Sequence, residues 1–299
     1  MASDTTQILM LHRVLADTPA AFGLPGCYRM RGTALTPDEF RQVLDKVGPI
    51  VTLAAVEQAL TLGEEPPTGS VLTFDDGYRE HLDLVAPMLA DRCHAATFYV
   101  ATGLHGEGTE VAVVDAWYWL LDHAEEPFAR VPMPDGGAFH GRVDTFEGKL
   151  AWVAGEPKAA LLASTSEQQE AMLAALSDSV GCALPVGLAA ALYLRRDEWS
   201  ALVSFGMRIG AHSVRHPRLT QVDDATLRNE VATSVASLGV FGPVAFAYPD
   251  GAYDERVEAV VRKAGVSSAV TCDPGVVTRG VNLQRLPRRF VLPGSRSAV

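Results

Sequence analysis

The sequence predicts an α/β protein organised as a barrel-like domain around parallel strands. Two observations predict it. Short apolar runs alternate with amphipathic helical stretches, the pattern of βα units. Five polar residues, His12, Asp75, Asp76, His212 and Asp250, each fall just after a predicted strand. In a parallel barrel the C-terminal strand ends share one face, and the active site is built there.

Taken in order, residues 7–11 (QILML) read as a first strand that ends at His12. Thr36-Pro37-Asp38-Glu39 is a helix start with three agreeing signals: a Thr N-cap, Pro at the first helical position and Glu three residues after the cap. That helix is expected to reach about residue 47, with a second strand at 49–53. Residues 71–74 (VLTF) form the next strand, cut off by Asp75-Asp76-Gly77, and a helix over 79–92 leads to a strand at 97–100. A strand at 207–211 runs into His212. A helix over 223–238, a strand at 244–247, a helix over 253–264 and a strand at 268–271 complete the alternation. From about 104 to 197 the pattern breaks into Ala-, Leu- and Glu-rich sequence with an aromatic knot at Trp117-Tyr118-Trp119. A structureless loop of that length is uncommon in a compact domain, so a mostly helical insertion is expected. The chain, 1–299, reads as one domain carrying that insertion.

Composition narrows the partners. Hydrophobic residues at 48% and charged residues at 20% are ordinary for a globular protein. A net charge of −11 and a pI near 5.2 argue against nucleic acid and anionic membranes, which require basic surface. Residues 1–9 lack a basic stretch followed by a long apolar run, and no apolar segment is long enough to span a bilayer, so a cytoplasmic location is expected. Cys27, Cys93, Cys182 and Cys272 are scattered without metal-ligand spacing and read as separate reduced thiols. The apolar fraction together with the insertion allows a homodimer.

The strongest local signal is Thr73-Phe74-Asp75-Asp76-Gly77. Two adjacent carboxylates at a strand end point in different directions, so one can ligate a metal while the other remains free as a base. The same triplet also occurs as a plain turn. The second signal is His212-Ser213-Val214-Arg215-His216-Pro217, two His four apart. On one face of a helical turn both imidazoles reach a single ion, and Pro217 limits how far that helix extends. With Asp76 they make an Asp-His-His set that leaves positions open for water and substrate.

TFDDG followed by HSxxH resembles the first two motifs of the NodB-type polysaccharide deacetylases, carbohydrate esterase family 4, across the chain apart from the insertion. The resemblance implies a distorted (β/α)7 barrel, Asp75 as general base, and Asp76, His212 and His216 as ligands of one divalent ion, Zn²⁺ with Co²⁺ or Ni²⁺ as alternatives. There are departures. The third motif of the family reads Arg-x-Pro-Tyr-Gly, whereas here Phe246-Ala247-Tyr248-Pro249-Asp250-Gly251 stands in its place, without the Arg that steadies the base. The backbone N–H at Asp250 takes the family's oxyanion position. Asp250 and Tyr248 are the candidate substrate contacts of this stretch. The late Leu-x-His motif is absent, and no His follows His216. Leu9-Met10-Leu11-His12-Arg13 instead resembles the poly-N-acetylglucosamine deacetylase branch, in which the motif order is permuted, so His12 is expected to act as general acid. Arg285-Leu286-Pro287-Arg288-Arg289-Phe290 also resembles that branch and offers Arg288 as the partner of Asp75.

The implied activity is metal-dependent hydrolysis of an N-acyl group. The expected substrate is an amino-sugar-containing small molecule, such as a glycosylated metabolite intermediate, with an N-acetylglucosamine oligo- or polysaccharide as the alternative. Trp117 and Trp119, with nearby Asp115, are expected to wall the substrate pocket. A reading of another class, a degenerate carbohydrate-binding protein, predicts an incomplete metal site.

Overall fold

The computed structural model describes residues 5–293. Its strands are β1 (Thr6–Leu11), β2 (Arg13–Val14), β3 (Ala34–Leu35), β4 (Gly69–Phe74), β5 (Ala96–Val100) and β6 (Phe128–Pro132), followed by β7 (Ala138–Arg142), β8 (Arg208–Ala211), β9 (Phe246–Ala247), β10 (Ala269–Val270) and β11 (Arg289–Phe290). Seven of them form one parallel sheet in the order β10-β9-β8-β5-β4-β1-β11. All residues of β1, β4 and β5 are buried, as parallel strands covered on both faces require. β11 pairs with β1 through Leu9–Arg289 and Met10–Phe290, while Leu286, three residues earlier, makes a parallel bridge to Val270 of β10. The closing segment thus touches both edges of the sheet, which curls into the distorted seven-stranded barrel the motifs imply.

Helix starts follow side-chain chemistry. Thr36 and Glu39 form a reciprocal capping box on the helix Pro37–Lys46. Residues 49–53 do not form the expected strand: Ile50 alone bridges Ser70, and the helix Leu53–Leu62 begins at once. Thr52 caps it by accepting from the Ala55 N–H, and LAAVEQAL that follows is rich in helix formers. The expected helix over 79–92 is shorter, a π-turn His81–Val85 running into the α-helix Ala86–Ala90. Pro87 has no N–H to offer the carbonyl four residues back, and the turn before it widens.

The segment between β5 and β8 holds the helices Val113–Asp122, Phe146–Ala154, Glu156–Ala163, Ser166–Val180, Leu188–Leu192 and Trp199–Ser204. It also holds the unexpected antiparallel hairpin β6–β7, with Ala129 and Val131 of β6 turned inward between exposed residues. The segment has its own hydrophobic core around Trp117, Tyr118, Trp152, Leu161 and Leu176, joined by Cys27 from the short helix Cys27–Arg31 near the N-terminus. Among the described residues all four cysteines are free, and no helix is long and apolar enough to cross a membrane.

Candidate active site

The polar residues predicted at strand ends gather at one end of the barrel, on loops whose backbone is strained. Six described non-glycine residues have positive φ, and four of them, Asp76, Ser213, His216 and Asp250, lie here. Such conformations persist where surrounding structure imposes them, and they cluster at functional sites. Gly77 follows Asp76 at φ 76°, and a Cβ on it would lie 3.0 Å from Val100 Cγ1, so the turn requires glycine.

Asp75, at the end of β4, is 2% exposed and meets Arg288, which is 1% exposed, in a two-pronged pair: Nη1–Oδ1 and Nη2–Oδ2 are both 2.7 Å. Arg288 is held in turn by donation from Nε to the Thr271 carbonyl at 2.9 Å and from Nη1 to Thr73 Oγ1 at 3.3 Å. Burial alone would raise the carboxyl pKa of Asp75. The Arg288 charge and hydrogen bonds outweigh burial and hold the group well below the usual carboxylate range. The arginine missing from the third motif is therefore replaced, in space, from the far end of the chain.

Asp76 turns the other way. Its Oδ1 lies 3.5 Å from Nε2 of both His212 and His216, and the two Nε2 atoms are 3.1 Å apart. His212 Nδ1 donates to the Ala247 carbonyl at 2.7 Å, since a carbonyl can only accept. That bond fixes the tautomer and leaves the Nε2 lone pair of His212 directed at the cluster. Bonds of about 2.1 Å to one divalent ion would place ligand atoms roughly 3.0–3.4 Å apart, so the Asp-His-His set fits such an ion. Burial lowers the His212 pKa to about 4, assisted by His216. His216 feels burial in the same direction, but Asp76, Asp250 and Asp115 reverse it and raise its pKa.

The HSVRH stretch is an irregular loop, not the expected helical turn. Ser213 and His216 adopt φ of 62° and 58°, and Ser213 Oγ accepts from the His216 N–H at 3.0 Å. Glu230, buried in the helix Asp224–Leu238, accepts from the Val214 and Arg215 N–H groups at 2.8 and 2.9 Å. His216 is thus delivered by a pinned loop rather than by helical spacing. Nothing local in the sequence marks Glu230 for this task.

His12 directly follows β1, close enough to influence both Asp75 and Asp76. His81 Nε2 donates to the His12 carbonyl at 2.7 Å, and the Phe290 ring lies 5.3 Å from the imidazole. His12 Nδ1 is buried without a protein partner among the described residues. Next to it, Arg13 pairs with Glu80 at 2.7 Å and lies over the rings of Tyr28 and Tyr78. His81 was invisible in the sequence, because its function here is to hold a backbone carbonyl 69 residues away.

The expected substrate contacts divide. Asp250 is exposed in the turn Pro249–Gly251, with Oδ2 3.6 Å from Arg218 Nε, and its charge reaches His216. Tyr248 is fully buried, its ring stacked on Tyr253 and its hydroxyl donating to the Gln284 carbonyl at 3.0 Å, so it is a core residue. Trp117 is likewise buried, with Nε1 donating to the Trp152 carbonyl at 3.1 Å inside the insertion's own core. Trp119 is half-buried on the wall of a separate surface cleft. What the insertion does bring to the barrel end is Asp115, buried beneath the hydroxyls of Tyr28, Tyr78 and Tyr193, with Tyr78 at 2.9 Å.

A curled parallel sheet closed by its last strand carries an Asp-Arg pair beside an Asp-His-His cluster at the C-terminal strand ends, the arrangement that the resemblance to the NodB-type polysaccharide deacetylases implies. A sequence model described as Polysaccharide deacetylase matches residues 161–269, a span that takes in His212 and His216 and begins after Asp75 and Asp76. Over that span the chain is similar to the polysaccharide deacetylases. No curated protein matches it. Among solved structures it is similar to the Streptococcus pyogenes deacetylase PplD in complex with acetate, at 18% identity and a TM-score of 0.60, covering 97% of this chain and 93% of that one. It is similar to IcaB from Ammonifex degensii, at 18% identity and a TM-score of 0.58 with the same coverage. The deacetylase domain of BpsB from Bordetella bronchiseptica matches at 16% identity, TM-score 0.55, covering 96% of each chain.

Proposed function

We propose that this protein is a metal-dependent N-deacetylase acting on an N-acetylglucosamine-containing oligo- or polysaccharide. The observation that carries the reading is the division of labour between the neighbouring carboxylates: Asp75 is locked to Arg288, while Asp76 faces two imidazole nitrogens in a set fit for one divalent ion. A bound ion would supply polarisation of the acyl oxygen and a lowered pKa for water, Zn²⁺, Co²⁺ and Ni²⁺ being the candidates. Arg288 keeps Asp75 ionised and fixes its orientation, so the carboxylate accepts the proton of the water that adds to the acyl carbon. The Asp250 backbone N–H is the candidate donor to the developing oxyanion. As the C–N bond breaks, the amine takes a proton from His12, whose backbone His81 holds in place. A degenerate binding protein has no need of this complete set.

The expectation of a small glycosylated metabolite gives way to the polymer alternative. The matching family is defined by polysaccharide deacetylases, and structures of similar fold include IcaB, BpsB and a de-N-acetylase from Aggregatibacter actinomycetemcomitans. The test is elemental analysis of wild type and His212→Ala, with acetate release from N-acetylglucosamine oligomers measured on both. One divalent ion per chain, lost with the activity in the variant, is the expected result. A wild type that binds no Zn²⁺, Co²⁺ or Ni²⁺ and releases no acetate would overturn it.

A further inference from the structure

Trp119 was expected at the catalytic pocket, yet it lines a cleft of about 830 Å³ between the loop after β2 and the insertion. We infer that this cleft is a sugar-binding subsite, in which Trp119 is the stacking platform for a pyranose unit of the substrate remote from the reacting one. The inference rests on the deacetylase reading and adds where a longer substrate lies.

Three features support it. The Trp119 ring is backed on one face: His123 stacks on it at 3.9 Å with 12° between planes, and His123 Nδ1 donates to the Trp119 carbonyl at 2.8 Å. A pyranose has an apolar C–H face and a hydroxyl rim, so it suits a flat aromatic surface edged by polar groups, and a volume of this size lies within the range of ligand pockets. The charges around the cleft are mostly spent internally: Arg29 pairs with Glu39, and Asp122 with Lys149 at 2.7 Å. Glu125 remains at the rim, so a neutral or amine-bearing sugar fits and an anionic one does not. Finally, the cleft adjoins the catalytic end. Leu15 on its wall is three residues after His12, and Tyr28, also on the wall, gives its hydroxyl to Asp115, whose charge reaches His216.

The test compares the N-acetylglucosamine monomer with its pentamer. Ala183→Trp fills the cleft from an exposed rim position, and Trp119→Phe shrinks the platform while keeping an aromatic ring in the insertion. Both variants are checked for unchanged melting and metal content. Either change is expected to raise KM for the pentamer about tenfold, with kcat and all monomer constants unchanged. Unaltered pentamer KM in both variants would overturn the subsite. Calorimetric binding of the pentamer separates this from the parent reading: if wild type releases no acetate from any sugar, the deacetylase proposal fails. The cleft then stands if pentamer binding is present and lost in Ala183→Trp, and falls otherwise.

Discussion

Burial alone would make Asp75 hold its proton more tightly, and the Arg288 guanidinium more than reverses this through two parallel hydrogen bonds. The carboxylate is thereby ionised across the working pH range, so Asp75 does not set the acid limb of activity in the wild type. Replacing Arg288 by Met removes the cation and leaves burial in control. The Asp75 pKa then rises, and the acid limb of kcat/KM moves to higher pH. The same change strands a buried carboxylate, at a cost of about 3–5 kcal/mol in a denaturation experiment. Arg288→Lys retains the charge without the fork and should fall between the two. Asp75→Asn is expected to reduce turnover by roughly 10²–10⁴-fold while one metal per chain survives, because Asn removes the base and leaves Asp76, His212 and His216 intact. An active Asp75→Asn enzyme would remove Asp75 from the mechanism. The legibility of these residues follows from how they act. Asp75, Asp76, His212 and His216 stand in contiguous motifs, so spacing alone exposes them. Arg288 reaches Asp75 across 213 positions and was found through a resemblance in its neighbours. Tyr248 and Trp117 looked like contacts because aromatic type does not say which way a ring faces.

At the scale of elements, the helix Pro37–Lys46 was readable from its cap, because capping is local chemistry. The loop that carries His216 was not, since the i to i+4 spacing of its histidines imitates a helix. What shapes it is Glu230, which takes the two N–H groups of Val214 and Arg215 into one carboxylate oxygen. If the metal is held by a pinned loop, cutting the pin loosens one ligand. Glu230→Ala is expected to weaken Zn²⁺ affinity by about 10–100-fold, read by competition with a chromophoric chelator, with Glu230→Gln much closer to wild type because its amide oxygen still accepts. Unchanged affinity in Glu230→Ala would show that the strained backbone at Ser213 and His216 holds itself.

Over the whole molecule, barrel and insertion have separate hydrophobic cores, joined at the catalytic end by a small apolar cluster that includes Tyr78, Ala101, Leu104, Ala189 and Tyr193 and by polar contacts. The chief junction is Asp115, on the insertion helix Val113–Asp122, which receives hydroxyls from Tyr28 near the N-terminus, Tyr78 after β4 and Tyr193 at the insertion's far end. Burial and the charge of Asp76 raise the Asp115 pKa, and the tyrosine hydrogen bonds oppose this only in part. An acid whose pKa is raised on folding binds its proton more tightly in the native state. Stability therefore falls as pH rises from the ordinary carboxylate range, about 4, through the raised value. Asp115→Asn carries no such titration, though it loses one acceptor for three hydroxyls. Its stability deficit relative to wild type should accordingly be largest near pH 4 and shrink toward pH 7, as wild type alone pays for the buried charge. Urea denaturation of both proteins across that range measures the difference directly. A deficit that instead grows with pH would mean that the three hydroxyls, with Arg13 behind Tyr28 and Tyr78, stabilise the anion more than burial penalises it, making the junction a charged anchor.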